Sequence, residues 1–98
     1  AKELSENLES LESAVKKNDW TTAEKQMGEF QEKWGKIKKR WQMFIDHQEV
    51  DNIESTLSKA KSWINQEGKE DALAEISTLK LYLLHIPEKE ALKITNIL

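Results

Sequence analysis

Residues 23–44, AEKQMGEFQEKWGKIKKRWQMF, contain the pattern that decides the fold. Their apolar side chains recur at steps of three and four, in the order Ala23, Met27, Phe30, Trp34, Ile37, Trp41 and Phe44. Such steps place side chains on one face of an α-helix. The stretch therefore predicts a long amphipathic helix, which we expect to extend to about Ile45.

The same rhythm occurs in three other stretches of the chain. The stripes are Leu4, Leu8, Leu11 and Val15; then Val50, Ile53, Leu57, Ala60 and Ile64; then Ala72, Ile76, Leu79, Leu83 and Ile86. The last stretch also holds Leu73, Leu81 and Leu84, so its apolar face is wide. A wide face is typical of a helix that packs between two neighbours.

Capping and breaking residues separate the stripes. Asp19 is suited to cap the second helix, although Thr21 with Glu24 forms a rival capping box. Gly68 is predicted to end the third helix. Pro87 ends the fourth helix and is suited to the first position of a short fifth one.

The two halves of the chain resemble each other at an offset of 49 residues. Each apolar stripe position from Leu4 to Ile37 falls on another apolar stripe position, so that Leu4 matches Ile53 and Trp34 matches Leu83. We therefore expect one all-α domain, an antiparallel four-helix bundle built from two helical hairpins, residues 1–46 and 47–86. A short C-terminal helix or tail, residues 87–98, is expected to follow.

Composition excludes several classes of function. The net charge of −3 does not favour a nucleic-acid partner for the surface as a whole. The absence of cysteine excludes disulfides, thiol catalysis and thiolate metal sites. No apolar run approaches the roughly 18 residues of a membrane span. Because the chain starts without Met and already in helical periodicity, we expect that a preceding segment was removed before Ala1.

The stretch IDHQEVD, residues 45–51, has two interpretations. In the favoured one it begins a helix: Asp46 is the N-cap and Glu49 completes a capping box. Ile45 before the cap and Val50 after it then form a hydrophobic staple. This interpretation assigns Asp46 and Glu49 without any chemistry.

The second interpretation is a site at one end of the bundle. His47 and Asp51 are four residues apart and share a helix face. In a hairpin that turns near Gly68, this region faces His85, so His47, Glu49, Asp51 and His85 are candidates to converge. Two imidazoles and a carboxylate can bind zinc or a similar divalent ion, and paired histidines can sense pH. The spacing matches no known metal motif, so satisfied polar residues at the end of the bundle, without a cofactor, are favoured.

A basic stretch offers another alternative. Residues Lys33–Arg40 hold five basic side chains, of which Lys33, Lys36 and Arg40 line one side of the predicted helix. Together with Trp34 and Trp41 they are suited to RNA, single-stranded DNA or an anionic membrane surface. The favoured interpretation is that both tryptophans belong to the core and that the lysines form a solvated face.

Several pieces of the sequence together resemble a bacterial family, domain-of-unknown-function family forty-three sixty-three. They are NDWTTAEK, the spacing of Trp34 and Trp41, FIDHQEVDNIE, ALAEISTLKLYLLHIPE and the closing NIL, and they cover nearly the whole chain. The resemblance implies a small helical protein of Gram-positive bacteria, extracytoplasmic and held by an anchor that preceded Ala1. Its motif falls on Asp46, His47, Glu49, Asp51, His85 and Asn96, and no activity is implied for these residues.

The leading hypothesis is a non-catalytic structural or protein-interaction domain at the bacterial cell surface. No enzymatic activity is predicted, because no nucleophile, oxyanion donor or phosphate loop accompanies the histidines. The expected partner is an unidentified protein, and the membrane is involved only through the missing anchor. Two alternatives remain: a metal-binding or pH-sensing module using His47, Asp51 and His85, and binding of an anionic surface through Lys33–Arg40.

Overall fold

The computed structural model describes residues 2–86, which form four α-helices. The helices are α1, Lys2–Lys16; α2, Trp20–Trp41; α3, His47–Asn65; and α4, Lys69–Leu83. α1 packs against α2 and α3 against α4, and the bundle closes through contacts of α1 with α4 and of α2 with α3. α2 and α4 therefore lie diagonally across the bundle. The predicted all-α bundle is confirmed, whereas the expected C-terminal helix or tail lies outside the described residues.

The core is formed by the stripes that the sequence predicts. All stripe residues are buried except Phe44, and Ile45 and Ala14 join them. Trp34 and Trp41 are each 3% exposed, so both belong to the core, as favoured from their register. Trp20 and Trp63 are partly buried and pack against the edge of the core. Burial of apolar surface along all four helices is the main favourable contribution to this fold.

α4 has the two neighbours that its wide apolar face predicts, α1 and α3. The face is nevertheless wider than the two contacts require. Leu73 is partly buried and packs against the core, whereas Leu81 and Leu84 are exposed. Both lie on the side of α4 that points away from the bundle, because they are two and five residues from buried Leu79 and not three or four.

The turns between α1 and α2 and between α3 and α4 have the same backbone structure. Asn18 and Glu67 have positive φ values of 58° and 55°. The next N–H groups reach back across each turn, from Asp19 to the carbonyl oxygen of Ala14 at 2.9 Å and from Gly68 to that of Trp63 at 2.8 Å. Both are Schellman turns that satisfy the last carbonyl groups of the preceding helix. Their residues are 49 positions apart, so the offset in the sequence corresponds to a repeated turn.

The structure assigns Gly68 a different role from the predicted one. α3 ends at Asn65, and the left-handed residue that reverses the chain is Glu67; Gly68, with a φ of −86°, is the N-cap of α4. The space for a side chain at this position is narrow. A Cβ atom there would lie 3.0 Å from Cε3 of Trp63, which is closer than ordinary van der Waals contact.

α2 ends at Trp41, earlier than the predicted Ile45. The N–H groups of Phe44 and Ile45 both donate to the carbonyl oxygen of Trp41, at 2.8 and 3.0 Å, and close a turn. Asp46 follows this turn with an extended backbone, with ψ of 133°, and caps α3. Ile45 stays buried through the turn, whereas Phe44 stacks edge-on against Trp41 with 5.8 Å between ring centroids.

Candidate functional site

The stretch IDHQEVD forms the start of α3, as the favoured interpretation predicts. Asp46 is the N-cap, and its Oδ1 atom accepts a hydrogen bond of 2.8 Å from the backbone N–H of Gln48. Ile45 and Val50, the predicted staple, are both buried. The capping bond comes from the N–H of Gln48, the second helical residue, and not from that of Glu49, the third. The Glu49 side chain contacts His85 and not the N–H of Asp46, so the predicted capping box does not form.

Glu49 instead faces the end of α4. Its Oε1 atom lies 3.2 Å from Nδ1 of His85. The two side chains come from different helices, because the α3–α4 hairpin brings the start of α3 beside the end of α4. When the imidazole is protonated they form an ion pair, and His85 also lies where a cation stabilises the C-terminal end of the α4 dipole.

His47 contacts a different carboxylate. Its Nε2 atom lies 4.0 Å from Oδ2 of Asp51, one turn further along α3. The His47 side chain is 92% exposed, so this contact is a surface pair within one helix. Pairs of this kind contribute little to stability, about 0.3–0.5 kcal/mol.

The four candidate metal ligands are thus joined in two pairs, His85 with Glu49 and His47 with Asp51. Among residues 2–86, no three His, Cys, Asp or Glu side chains are grouped so that they would hold a metal ion. The metal-binding and pH-sensing hypotheses stay predictions. Asn96, the last residue of the family motif, lies outside the described part of the chain.

A polar cluster that the sequence interpretation missed joins α2 to α3. Oε2 of Glu54 accepts hydrogen bonds from Nζ of Lys38 at 2.8 Å and from Nε1 of Trp34 at 3.4 Å. The hydrogen bond from Lys38 lowers the pKa of the Glu54 carboxyl group, and the Trp34 bond adds to this. The sequence offers one signal for this cluster. Positions 38 and 54 are about equally far from residue 46, so a hairpin that turns there brings them to the same level of the bundle.

The remaining basic side chains of this stretch form a separate surface, which we call the basic face: Lys33, Lys36, Lys39 and Arg40. All four are exposed. Residues 33–45 contain five of the 15 basic residues of the chain and none of the 18 acidic ones. Because Trp34 and Trp41 are buried, they are not available to stack on nucleic-acid bases beside this face.

Exposed apolar side chains are concentrated at the same end of the bundle. In the part of the chain that the structure describes, the exposed large hydrophobic residues are Met43, Phe44, Leu81 and Leu84. Met43 and Phe44 follow the end of α2, and the two leucines lie in and just after the last turn of α4. This end also contains both histidine–carboxylate pairs.

None of the described helices is both long and apolar enough to cross a membrane. No curated protein and no solved structure shows a significant match to the chain. The family described as Domain of unknown function (DUF4363) does match, over residues 1–97. This match covers nearly every position and includes both the repeated turns and the histidine pairs. The chain therefore belongs to the DUF4363 family, as its sequence motifs suggest.

Proposed function

We propose that the protein is a non-catalytic protein-interaction domain of the bacterial cell surface, and that the outer side of α4 is its recognition surface. The observation that carries the proposal is the exposure of Leu81 and Leu84, at 64% and 79%. Burying a leucine side chain contributes about 1.5–3 kcal/mol. Two leucines three residues apart on one helix side are therefore a sufficient apolar anchor for a partner.

The packing of α4 against its neighbouring helices favours recognition by a preformed surface. The helix packs against α1 and α3, and Lys80 binds Glu12 of α1 at 2.9 Å between Nζ and Oε1. A surface held in this way loses little conformational entropy when a partner binds. At this end of the bundle Asp46 caps α3 and Glu49 contacts His85, which supports a structural role for these three side chains.

A photocrosslinking experiment tests the recognition surface. A photoreactive phenylalanine analogue replaces Leu84 in the full-length protein in the bacterium that encodes it, and the crosslinked protein is identified by mass spectrometry. The matched control places the analogue at Lys59, an exposed position on α3. We expect one partner crosslinked from position 84 and not from position 59. The purified partner should then bind a Leu81→Ser, Leu84→Ser variant at least about tenfold more weakly than wild type.

Equal crosslinking from both positions, or unchanged affinity of the double variant, would exclude α4 as the recognition surface.

The cell-surface location is supported by the family resemblance and needs its own test. A protease added to intact cells should degrade the full-length protein as fast as a known surface protein. Resistance in intact cells combined with degradation in lysed cells would contradict that location.

A further inference from the structure

We infer that the end of α2 docks the domain on an anionic lipid bilayer. The docking surface consists of the basic face, Lys33, Lys36, Lys39 and Arg40, together with Met43 and Phe44. It joins positive charge to exposed apolar side chains within about two and a half turns of α2 and the turn that follows. This combination is typical of proteins that bind at the surface of a negatively charged membrane.

The charge of the basic face is available to a partner. Lys38 is engaged by Glu54 within the bundle. By contrast, no carboxylate within residues 2–86 pairs with Lys33, Lys36, Lys39 or Arg40. Basic residues near an anionic bilayer contribute about 1 kcal/mol each, so four of them account for measurable binding.

The opposing charges at this end of the bundle belong to α3 and to the first turns of α1, where Glu3 and Glu6 are exposed. Asp46 is held by the N–H of Gln48 at the positive end of the α3 dipole. Asp51 lies beside His47. α2 and the turn after it have no acidic residue between positions 33 and 45, so every charged side chain in the last two turns of the helix is basic.

The apolar residues distinguish a bilayer from a polyanion in solution. Met43 is 87% exposed and Phe44 is 49% exposed, directly after the last basic residues of α2. Recognition of a single-stranded nucleic acid uses exposed aromatic rings for stacking, and both tryptophans of the stretch are buried, which leaves the half-exposed Phe44 as the one ring beside the basic face among the described residues. A bilayer instead accepts a flexible thioether and the edge of a phenyl ring at the level of the headgroups.

This orientation leaves the other exposed apolar surface free. α4 lies diagonally across the bundle from α2, so Leu81 and Leu84 point away from a membrane that contacts the basic face. The inference does not rest on the proposed protein partner, and the two surfaces are separable by mutation.

Vesicle binding of the purified protein tests the inference. The probe is a vesicle of equal parts phosphatidylcholine and phosphatidylglycerol, and the measured quantity is the partition coefficient at low and at physiological salt. Lys36→Glu with Lys39→Glu should reduce partitioning at least about tenfold. The matched control, Lys59→Glu with Lys61→Glu, makes the same charge change at exposed positions of α3 and should reduce it less than about twofold.

Two further variants separate the contributions. Met43→Ser should weaken partitioning several-fold and leave its salt dependence unchanged, because it removes only the apolar part. Leu81→Ser with Leu84→Ser should have no effect on vesicle binding, whether or not a protein partner exists. Absence of binding to anionic vesicles at low salt would overturn the inference. Equal losses in the two charge variants, or binding to a single-stranded oligonucleotide without binding to vesicles, would also overturn it.

Discussion

Gly68 and the two glycines within α2 differ in what surrounds them. A Cβ atom at Gly68 would come within 3.0 Å of the Trp63 ring, whereas one at Gly28 or Gly35 would meet nothing within 4 Å. Glycine inside a helix costs about 0.5–1 kcal/mol relative to alanine. Nothing within the described part of the chain offsets that cost at Gly28 and Gly35.

Alanine substitution should therefore have opposite effects at these positions. We expect Gly28→Ala and Gly35→Ala each to raise the free energy of unfolding by about 0.5–1 kcal/mol. Gly68→Ala should lower it by about 1–3 kcal/mol, because the Trp63 ring must move. Urea unfolding followed by circular dichroism measures all three. A loss of stability at Gly28 or Gly35 would mean that another group packs on that side of α2.

Glu54 connects stability to pH through its lowered pKa. A carboxyl group with a lowered folded-state pKa contributes stability above its ordinary pKa, and this contribution disappears as the pH falls through the folded-state value. Glu54→Gln should therefore reduce stability near neutral pH and have little effect in strong acid. Because the Lys38–Glu54 pair is partly exposed, we expect a difference of at most about 1 kcal/mol.

The measurement is urea unfolding of wild type and variant between neutral pH and pH of about 3. Glu32→Gln is the matched control, since Glu32 is an exposed carboxylate of α2 without an ion pair among the described residues. A stability difference for Glu54→Gln that stays constant over this range would show that the effect comes from packing and not from charge.

At the scale of the helices, the apolar stripes and the caps Asp19 and Asp46 could be predicted because they depend on neighbouring residues. Asp19 accepts a hydrogen bond of 3.2 Å from the N–H of Thr22, which confirms it over the rival capping box. The side chain of Thr22 and, next, this backbone bond lower the pKa of the Asp19 carboxyl group. The pair Lys38–Glu54 was harder to predict, since it depends on how α2 and α3 are rotated against each other. Of the four residues expected to converge, Glu49 and His85 do meet across the α3–α4 hairpin.

The cap of α3 gives a prediction at this scale. Asp46→Ala should lower the free energy of unfolding by about 1 kcal/mol, because the N–H of Gln48 loses its acceptor. Asp46→Asn keeps an acceptor oxygen and should cost much less. Thermal unfolding of both variants measures the difference. If alanine and asparagine are equally destabilising, the charge of Asp46 at the helix dipole matters more than its hydrogen bond.

At the scale of the whole molecule, the repeat makes the two halves similar but not interchangeable. Asn7 and Thr56, 49 positions apart, are the two buried polar residues of the described chain. Asn7 donates to the carbonyl oxygen of Gln26 at 3.1 Å and to its Oε1 atom at 2.8 Å, which ties α1 to α2. The core residues of α2 are larger than those of α4, since Phe30 matches Leu79 and Trp34 matches Leu83.

This asymmetry predicts how the separate halves behave. Residues 1–46 and 47–98, made as two polypeptides, should each show little helix, because a hairpin alone leaves one side of its apolar stripe in water. Mixed in equal amounts, they should form a helical one-to-one complex. At the two matched positions, Phe30 and Trp34, two copies of the first half would bring four aromatic rings into a space that takes two aromatic and two aliphatic side chains. That homodimer should therefore be less stable than the mixed complex.

Circular dichroism and sedimentation equilibrium distinguish these states. A homodimer of either half as stable as the mixture would contradict the prediction and would mean that core volume does not determine which hairpins pair.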